Sequence, residues 1–138
     1  MKKILISGFN GHLGSYLYKN FFKKGYITIG LDRELTLKKN SKKLINFIKK
    51  VSPDVLINCA AIVGLKNSKN NKKLTREVNI DLPVRLANIC KKKIHFIQIS
   101  TNSSFEGLDI SKPRNEDEKG KPLSFYGQTK YQADIELL

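Results

Sequence analysis

Short apolar runs alternate along the chain with segments in which apolar residues recur at helical spacing. The apolar runs predict buried strands over residues 3–7, 26–31, 54–59 and 94–100, and a very short additional strand over residues 35–37. The helical spacing predicts helices over residues 12–24, 41–51 and 74–91, and a last helix that begins near Phe125. Because strands and helices alternate, the sequence predicts an α/β fold with a parallel, doubly wound sheet.

Capping and helix-breaking residues set several predicted boundaries. Ser41 is predicted to be the N-cap of the helix over residues 41–51, and Pro53 separates that helix from the next strand. Pro83 is expected to bend or restart the long helix in which it lies. Residues 65–73 are predicted to be irregular, and residues 101–124 to form a long polar loop of the kind that is usually functional.

The composition is that of one globular domain. At 138 residues, with 40% hydrophobic and 28% charged residues, the chain can bury a core but is too short for two ordinary domains. The apolar runs are too short for a signal peptide or a membrane span, so we expect a cytoplasmic protein with no membrane partner. Cys59 and Cys90 lie far apart in apolar segments, and we expect small buried side chains rather than a disulfide or a metal site.

The net charge of +14 raises the alternative of a nucleic-acid-binding domain. The lysines, however, occur as pairs and triplets spread over the whole chain, including Lys91 to Lys93, and arginine occupies only four positions. A solvated basic surface is therefore favoured over a nucleic-acid site. Such a surface can still attract an anionic small substrate.

A glycine-rich turn directly follows the first predicted strand. In the segment SGFNGHLG, Gly8 permits a sharp turn, Gly11 lets a pyrophosphate approach the backbone, and Gly14 lets the following helix pack against the sheet. The N–H groups at the start of that helix would face the phosphates. At the end of the second strand, Asp32 can accept hydrogen bonds from ribose hydroxyls and favours NAD, whereas the adjacent Arg33 can bind a 2′-phosphate and favours NADP. The sequence predicts a Rossmann dinucleotide-binding fold and leaves NAD and NADP open.

The spacing GxxGxxG resembles that of the extended short-chain dehydrogenase/reductase family. Three more segments carry the resemblance: PDVLINCAA (53–61), ISTNSSFEG (99–107) and YGQTK (126–130). Together with EVNIDLPVRLANIC (77–90), they are most similar to the dTDP-4-dehydrorhamnose reductase branch of nucleotide-sugar enzymes. The resemblance implies that cofactor contacts are made by the glycine turn with Asn10, His12 and Leu13, by Ala60 and Ala61, and by Tyr126 and Lys130.

Tyr126 and Lys130 lie four residues apart and would share one face of the last helix. A nearby ammonium stabilises a phenolate, so the pair can act as a proton donor or acceptor at a substrate oxygen. Thr101 follows the last strand and could hold the reacting carbonyl, and Asn102 is a second candidate substrate contact. The family resemblance implies that Lys130 also binds the nicotinamide ribose. Asn79 matches an asparagine common in the family, and a structural role is expected for it first.

The chain departs from the family pattern at several positions. The reductase branch has Asp-Tyr where this chain has Asn102-Ser103, and it has an aspartate where this chain has Thr36. The segment AIVGLKNSKN lacks the acidic residues expected after the strand over residues 54–59. These departures concern the substrate, the proton relay and the surroundings of the adenine.

The resemblance implies that residues 1–138 are the NAD(P)-binding Rossmann domain, truncated before the last strands and the substrate domain. The predicted function is NAD(P)-dependent reduction of the keto-sugar of a nucleotide sugar, for cell-surface polysaccharide precursors, with weak activity of the short chain alone. The alternatives are a non-catalytic dinucleotide-binding module and an NAD-dependent nucleotide-sugar epimerase or dehydratase. A homodimer or a complementing chain is a further expectation, because an uncovered sheet edge favours association.

Overall fold

A computed structural model describes residues 1–91, 93–109, 111–115 and 117–138. Its centre is a four-stranded parallel sheet of order β2-β1-β3-β4. The strands are β1 (Lys3–Ser7), β2 (Ile27–Leu31), β3 (Val55–Asn58) and β4 (His95–Gln98). All four predicted main strands are therefore present, and their carboxyl ends lie at one edge of the sheet.

Helices cover both faces of the sheet. The α-helices are α1 (His12–Lys23), α2 (Arg33–Thr36), α3 (Ser41–Val51), α4 (Leu65–Asn70), α5 (Lys72–Arg76), α6 (Leu82–Cys90) and α7 (Phe125–Leu137). Two 3-10 turns span Lys38–Asn40 and Asn102–Phe105, and a π-helical turn spans Glu77–Asp81. Among the described residues, no helix combines the length and the apolar character needed to cross a membrane.

The alternation of side chains along the strands builds two apolar layers. On one face, Leu5 and Leu56 pack with buried residues of α3 and α6. On the other face, Ile4, Ile6 and Ile57 pack against apolar residues of α1 and its flanking segments. The central strands β1 and β3 are thus buried on both faces, as expected for a doubly wound parallel sheet.

Two predicted features near residue 36 are wrong. Leu35 and Thr36 of the predicted short strand belong to α2, and Leu37 is its extended C-cap. The helical turn forms because the Asp32 carboxylate accepts a hydrogen bond from the Glu34 N–H (2.7 Å). Ser41 is the first helical residue of α3 rather than its N-cap, and its hydroxyl donates to the Lys38 carbonyl (2.6 Å).

The prediction that residues 65–73 are irregular is also wrong. This segment forms α4 and the beginning of α5, joined at Asn71, whose side chain caps α5 by accepting from the Leu74 N–H (3.1 Å). The predicted helix over residues 74–91 is interrupted by the π-helical turn, and Pro83 lies in the first turn of α6. Proline is compatible with that position because its missing N–H would have no helical partner there.

The predicted loop over residues 101–124 contains the 3-10 turn Asn102–Phe105. Within this loop, Ile110 and Glu116 lie outside the described residues, as does Lys92 of the predicted surface lysine triplet. The loop returns to the sheet edge where α7 begins, and so leads directly to the predicted catalytic helix.

Candidate active site

A cleft of about 520 Å³ lies at the carboxyl ends of β1, β2 and β3. Besides Arg33, its lining includes five predicted cofactor residues: Gly8, Asn10, Gly11, Ala60 and Ala61. Arg33, Cys59 and a set of apolar residues that includes Leu31, Leu37 and Ile62 complete most of the wall. The structure therefore brings together residues from three separated segments where ligands meet doubly wound sheets.

The turn between β1 and α1 requires glycine at two positions. Gly8 has φ +68°, and a Cβ there would lie 2.7 Å from the Ala60 nitrogen. A Cβ on Gly14 would lie 2.2 Å from the Gly8 carbonyl oxygen, so the helix can approach the turn only without a side chain. Gly11 is exposed and its N–H donates to the Gly8 carbonyl (2.9 Å), which closes the turn.

Helix α1 begins at this turn without a side-chain cap. Gly11 occupies the N-cap position, and His12 and Leu13 are exposed in the first turn. Since the first N–H groups of a helix have no partner within the helix, this end offers donors and a positive dipole to an anion. This is the arrangement predicted from the glycine spacing.

Asp32 and Arg33 differ in their placement. Arg33 lines the cleft, whereas Asp32 is not part of its lining and uses one carboxylate oxygen to cap α2. Thr36 also lines the cleft, and its backbone is fixed by α6, because Arg85 donates to the Thr36 carbonyl (2.8 Å). Glu77 also accepts from the Lys38 N–H (2.6 Å), so α6 and the turn before it fix this side of the cleft.

Lys130 is a buried cation at the edge of the cleft. Its side chain is only 2% exposed, and its ammonium donates to the Ile99 carbonyl. Burial lowers the pKa of Lys130, and the charges of Asp134 and Cys59 oppose that shift. Burial likewise raises the pKa of the Cys59 thiol, and the nearby Lys130 opposes the shift. Because Cys59 lines the cleft, the influence of the Lys130 charge on the Cys59 pKa indicates that Lys130 lies near this wall.

Hydrogen bonds set the beginning of the predicted catalytic helix. Ser124 caps α7 by accepting from the Gly127 N–H (3.0 Å). Glu106 in turn accepts from the Ser124 N–H (2.9 Å) and hydroxyl (3.1 Å). A Cβ on Gly127 would lie 2.5 Å from the Ser103 carbonyl, so glycine allows α7 to lie against the 3-10 turn. Tyr126 is half-buried in this first turn.

Thr101 and Asn102 lie where the chain leaves β4. The Thr101 hydroxyl oxygen accepts from the Ser103 N–H (3.2 Å) and caps the 3-10 turn, and Asn102 is exposed at the start of that turn. Thr101, Tyr126 and Lys130 are not among the residues that line the cleft. The predicted site thus consists of a dinucleotide cleft and a separate group on β4 and α7 at its edge.

Asn79 joins these two parts. Its side chain accepts from the Ile62 N–H (2.8 Å) and donates to the Ile62 carbonyl (3.1 Å), next to the cleft. It also donates to the Thr129 hydroxyl (3.0 Å) on α7. These bonds give Asn79 the structural role expected from the sequence.

The sequence interpretation missed several residues of the site. Cys59 is half-buried and lines the cleft, although it was expected to be a buried hydrophobic residue; Cys90 is buried as expected. A row of hydrogen-bonded polar residues was also missed: the buried Ser7 and Asn58 and the half-buried Gln98. The available signal was a polar residue at the last position of three strands whose central positions are apolar.

Comparison with known proteins places this architecture in a family. The family model described as RmlD substrate binding domain matches residues 1–136. The chain belongs to this family. The predicted resemblance to dTDP-4-dehydrorhamnose reductases is thereby confirmed, and so is the doubly wound α/β fold.

Relatives of this RmlD-family chain are longer. Protein CapI of Staphylococcus aureus is 33% identical over 162 aligned residues, which cover 96% of this chain and 48% of CapI. A dTDP-4-dehydrorhamnose reductase of Mycolicibacterium smegmatis is 27% identical over 99% of this chain and 42% of its own length. The crystal structure of a dTDP-4-dehydrorhamnose reductase from Clostridium acetobutylicum has a TM-score of 0.86 at 30% identity, and the match covers 98% of this chain and 48% of that one. The chain spans about half the length of these relatives.

Proposed function

We propose that residues 1–138 form the dinucleotide-binding domain of an NAD(P)-dependent reductase. Its substrate would be the keto-sugar of a nucleotide sugar, as in dTDP-4-dehydrorhamnose reductases, and its product a precursor of cell-surface polysaccharide. The observation that carries the proposal is Lys130, a buried ammonium one helical turn from Tyr126 and beside the glycine-lined cleft. Burial of a lysine lowers the stability of the fold, because it disfavours the charged ammonium. A lysine that is nevertheless buried beside a cleft therefore indicates a functional role.

The residues of the cleft fit a dinucleotide. The N-terminus of α1 offers N–H donors for a pyrophosphate, and exposed Gly11 has no side chain to obstruct its approach. Leu31 and Leu37 offer apolar surface to an adenine, and Arg33 lines the same cleft. Ala60 and Ala61 would lie under the cofactor as small residues that leave it space.

The remaining residues would handle the proton. A bound nicotinamide would supply the hydride. Tyr126 would donate a proton to the sugar carbonyl oxygen, and the Lys130 ammonium would stabilise the resulting phenolate and hold the nicotinamide ribose. Because the Thr101 oxygen accepts from the Ser103 N–H, its own O–H is directed elsewhere and could donate to the same carbonyl.

The placement of Arg33 favours NADP over NAD. A guanidinium in the cleft matches a 2′-phosphate, whereas the carboxylate of Asp32 is engaged at the N-terminus of α2. NADPH is therefore the cofactor with which the proposal is tested first.

The test combines cofactor binding with turnover. Nicotinamide fluorescence should show saturable NADPH binding by the chain, and slow oxidation of NADPH should follow addition of a dTDP-4-keto-6-deoxysugar. Tyr126→Phe should lower turnover by about 10²- to 10⁴-fold and leave NADPH affinity unchanged, because it removes the hydroxyl that donates the proton and keeps the ring. Tyr131→Phe, on the same helix, is the matched control and should retain turnover.

Two results would contradict the proposal. Absence of saturable binding of both NADPH and NADH would exclude the dinucleotide site. Undiminished turnover of the Tyr126→Phe variant would exclude the catalytic role of the phenol.

A further inference from the structure

A row of polar side chains crosses the sheet at its carboxyl edge. Ser7, Asn58 and Gln98 are register partners on β1, β3 and β4. The Ser7 hydroxyl donates to the Asn58 carbonyl oxygen Oδ1, and Asn58 Nδ2 donates to Gln98 Oε1 (2.7 Å). Ser7 and Asn58 are essentially inaccessible to solvent. The row is therefore internal at Ser7 and Asn58 and reaches a half-buried position at Gln98.

This row replaces apolar packing on the same face of the sheet. Two residues earlier on the three strands, the side chains are Leu5, Leu56 and Phe96, all part of the apolar layer under α3 and α6. Burying amide and hydroxyl groups is unfavourable unless each finds a partner, and apolar residues would serve packing alone better. The change from apolar to polar at the last register position indicates a requirement other than packing.

The direction of the hydrogen bonds is fixed at one end. Gln98 Nε2 donates to the carbonyl oxygen of Ile99 (3.1 Å), so Gln98 Oε1 must face Asn58. Asn58 must then present its NH₂ to Gln98 and its oxygen to Ser7. Reversing any one amide would place two donors or two acceptors together, so the row holds the Gln98 side chain in one orientation.

The same Ile99 carbonyl accepts a hydrogen bond from the ammonium of Lys130. Among the described residues, the ion pair within 4.0 Å is Arg114–Glu118, so Lys130 is held by a neutral carbonyl and not by a carboxylate. The Asp134 carboxylate, one turn further along α7 and bonded to Ser100, also acts on it. Cys59, which directly follows β3, is a thiol whose pKa burial raises. A carbonyl oxygen has two acceptor positions, and here Gln98 and Lys130 occupy them together.

We propose that Gln98 is a positioning residue that acts through the Ile99 carbonyl to fix the Lys130 ammonium at the edge of the cofactor cleft, with Asn58 and Ser7 locking the Gln98 amide. Lys130 has three N–H donors, and anchoring one on Ile99 directs the other two away from the sheet. The catalytic consequence rests on the proposed function, whereas the positioning itself is a property of Lys130 that can be measured without turnover.

Nuclear magnetic resonance of the chain with ¹³C,¹⁵N-labelled lysine tests the proposal. The Lys130 signal is identified by its loss in Lys130→Met, and its titration and its ammonium hydrogen exchange are then followed. Gln98→Leu should speed ammonium exchange by about tenfold or more, because the carbonyl loses its second anchor. Gln98→Glu should raise the pH at which Lys130 titrates by about one unit, because a carboxylate is brought near the ammonium.

Gln128→Leu is the matched control, since Gln128 is exposed on the same helix as Lys130 and should change neither quantity. If the Gln98 variants fail to fold, Ser7→Ala removes only the far end of the row and should still speed Lys130 exchange. Folded variants with wild-type exchange and titration of Lys130 would overturn the proposal.

NADPH titration of the same samples separates this proposal from the proposed function. A chain that binds no dinucleotide but shows the expected Lys130 changes would keep the positioning role and lose the reductase. The converse result would keep the reductase and lose the positioning role of Gln98. With a substrate in hand, Gln98→Leu should lower kcat more than it raises KM.

Discussion

Asp32 and Arg33 are neighbours at the end of β2 with opposite charges and different roles. The Asp32 carboxylate starts α2 by capping the Glu34 N–H, and the Arg33 guanidinium lines the cleft. Because a capping carboxylate has one oxygen committed to the backbone, its capacity to hold a ribose is reduced. Discrimination between the two dinucleotides should therefore depend mainly on Arg33.

Replacing Arg33 by Ala should weaken NADPH binding by about 10- to 100-fold and leave NADH binding nearly unchanged, because only NADPH carries the 2′-phosphate. Fluorescence titration with both dinucleotides measures the two affinities. Arg76→Ala is the control, since Arg76 is exposed on α5 and packs over the Phe125 ring rather than in the cleft. Equal loss of NADPH and NADH affinity in Arg33→Ala would contradict the assignment.

At the scale of elements, the beginning of α7 depends on an exposed carboxylate. Glu106 accepts two hydrogen bonds from Ser124, and Ser124 caps the Gly127 N–H in the turn that carries Tyr126. Hydrogen bonds from the Ser124 backbone, the Ser103 hydroxyl and the Ser124 hydroxyl lower the pKa of Glu106 below its usual 4.5. The ionised form of Glu106 therefore stabilises the start of the predicted catalytic helix.

This stabilisation should be present above pH 4.5 and lost as the pH falls through the lower pKa of the folded state. Urea unfolding midpoints of the wild type and Glu106→Gln should differ most near neutral pH and converge in acid. Glu136→Gln, which changes an exposed carboxylate near the other end of α7, serves as the control. A difference between wild type and Glu106→Gln that is independent of pH would contradict the role of the charge.

Elements with a strong apolar signal were predictable, and elements held by polar contacts were not. The strands and helices α1, α3 and α7 follow from apolar runs and periodicity, and the glycine turn follows from its position after β1. Helices α4 and α5 depend on tertiary polar contacts, such as the bond from the Thr75 hydroxyl to the Ser68 carbonyl (3.0 Å). The row of Ser7, Asn58 and Gln98 likewise exists only because the sheet order places three distant strands side by side.

At the scale of the whole molecule, the excess of positive charge is the dominant electrostatic feature. The chain has 26 basic and 12 acidic residues, and among the described residues one ion pair lies within 4.0 Å. A net charge this far from zero destabilises the compact state by self-repulsion.

Raising sodium chloride from about 0.01 M to about 0.15 M should therefore raise the thermal unfolding midpoint, because the screening length falls from about 30 Å to about 8 Å. Circular dichroism at neutral pH measures the shift. Sodium chloride is preferred to sulfate, since sulfate stabilises most proteins by exclusion from their surface. An unchanged or lower midpoint at the higher salt concentration would contradict dominance of self-repulsion.

The order of the sheet also has a consequence for the synthesis of the chain. β1 is a central strand whose partners lie 24 residues downstream in β2 (Lys3↔Ile27) and 51 residues downstream in β3 (Ile4↔Val55). At about 5–20 residues per second, the ribosome needs roughly 3–10 s to produce the second partner. During this interval β1 exposes a free edge, and the nascent chain is then most open to binding by chaperones or to pairing with another chain.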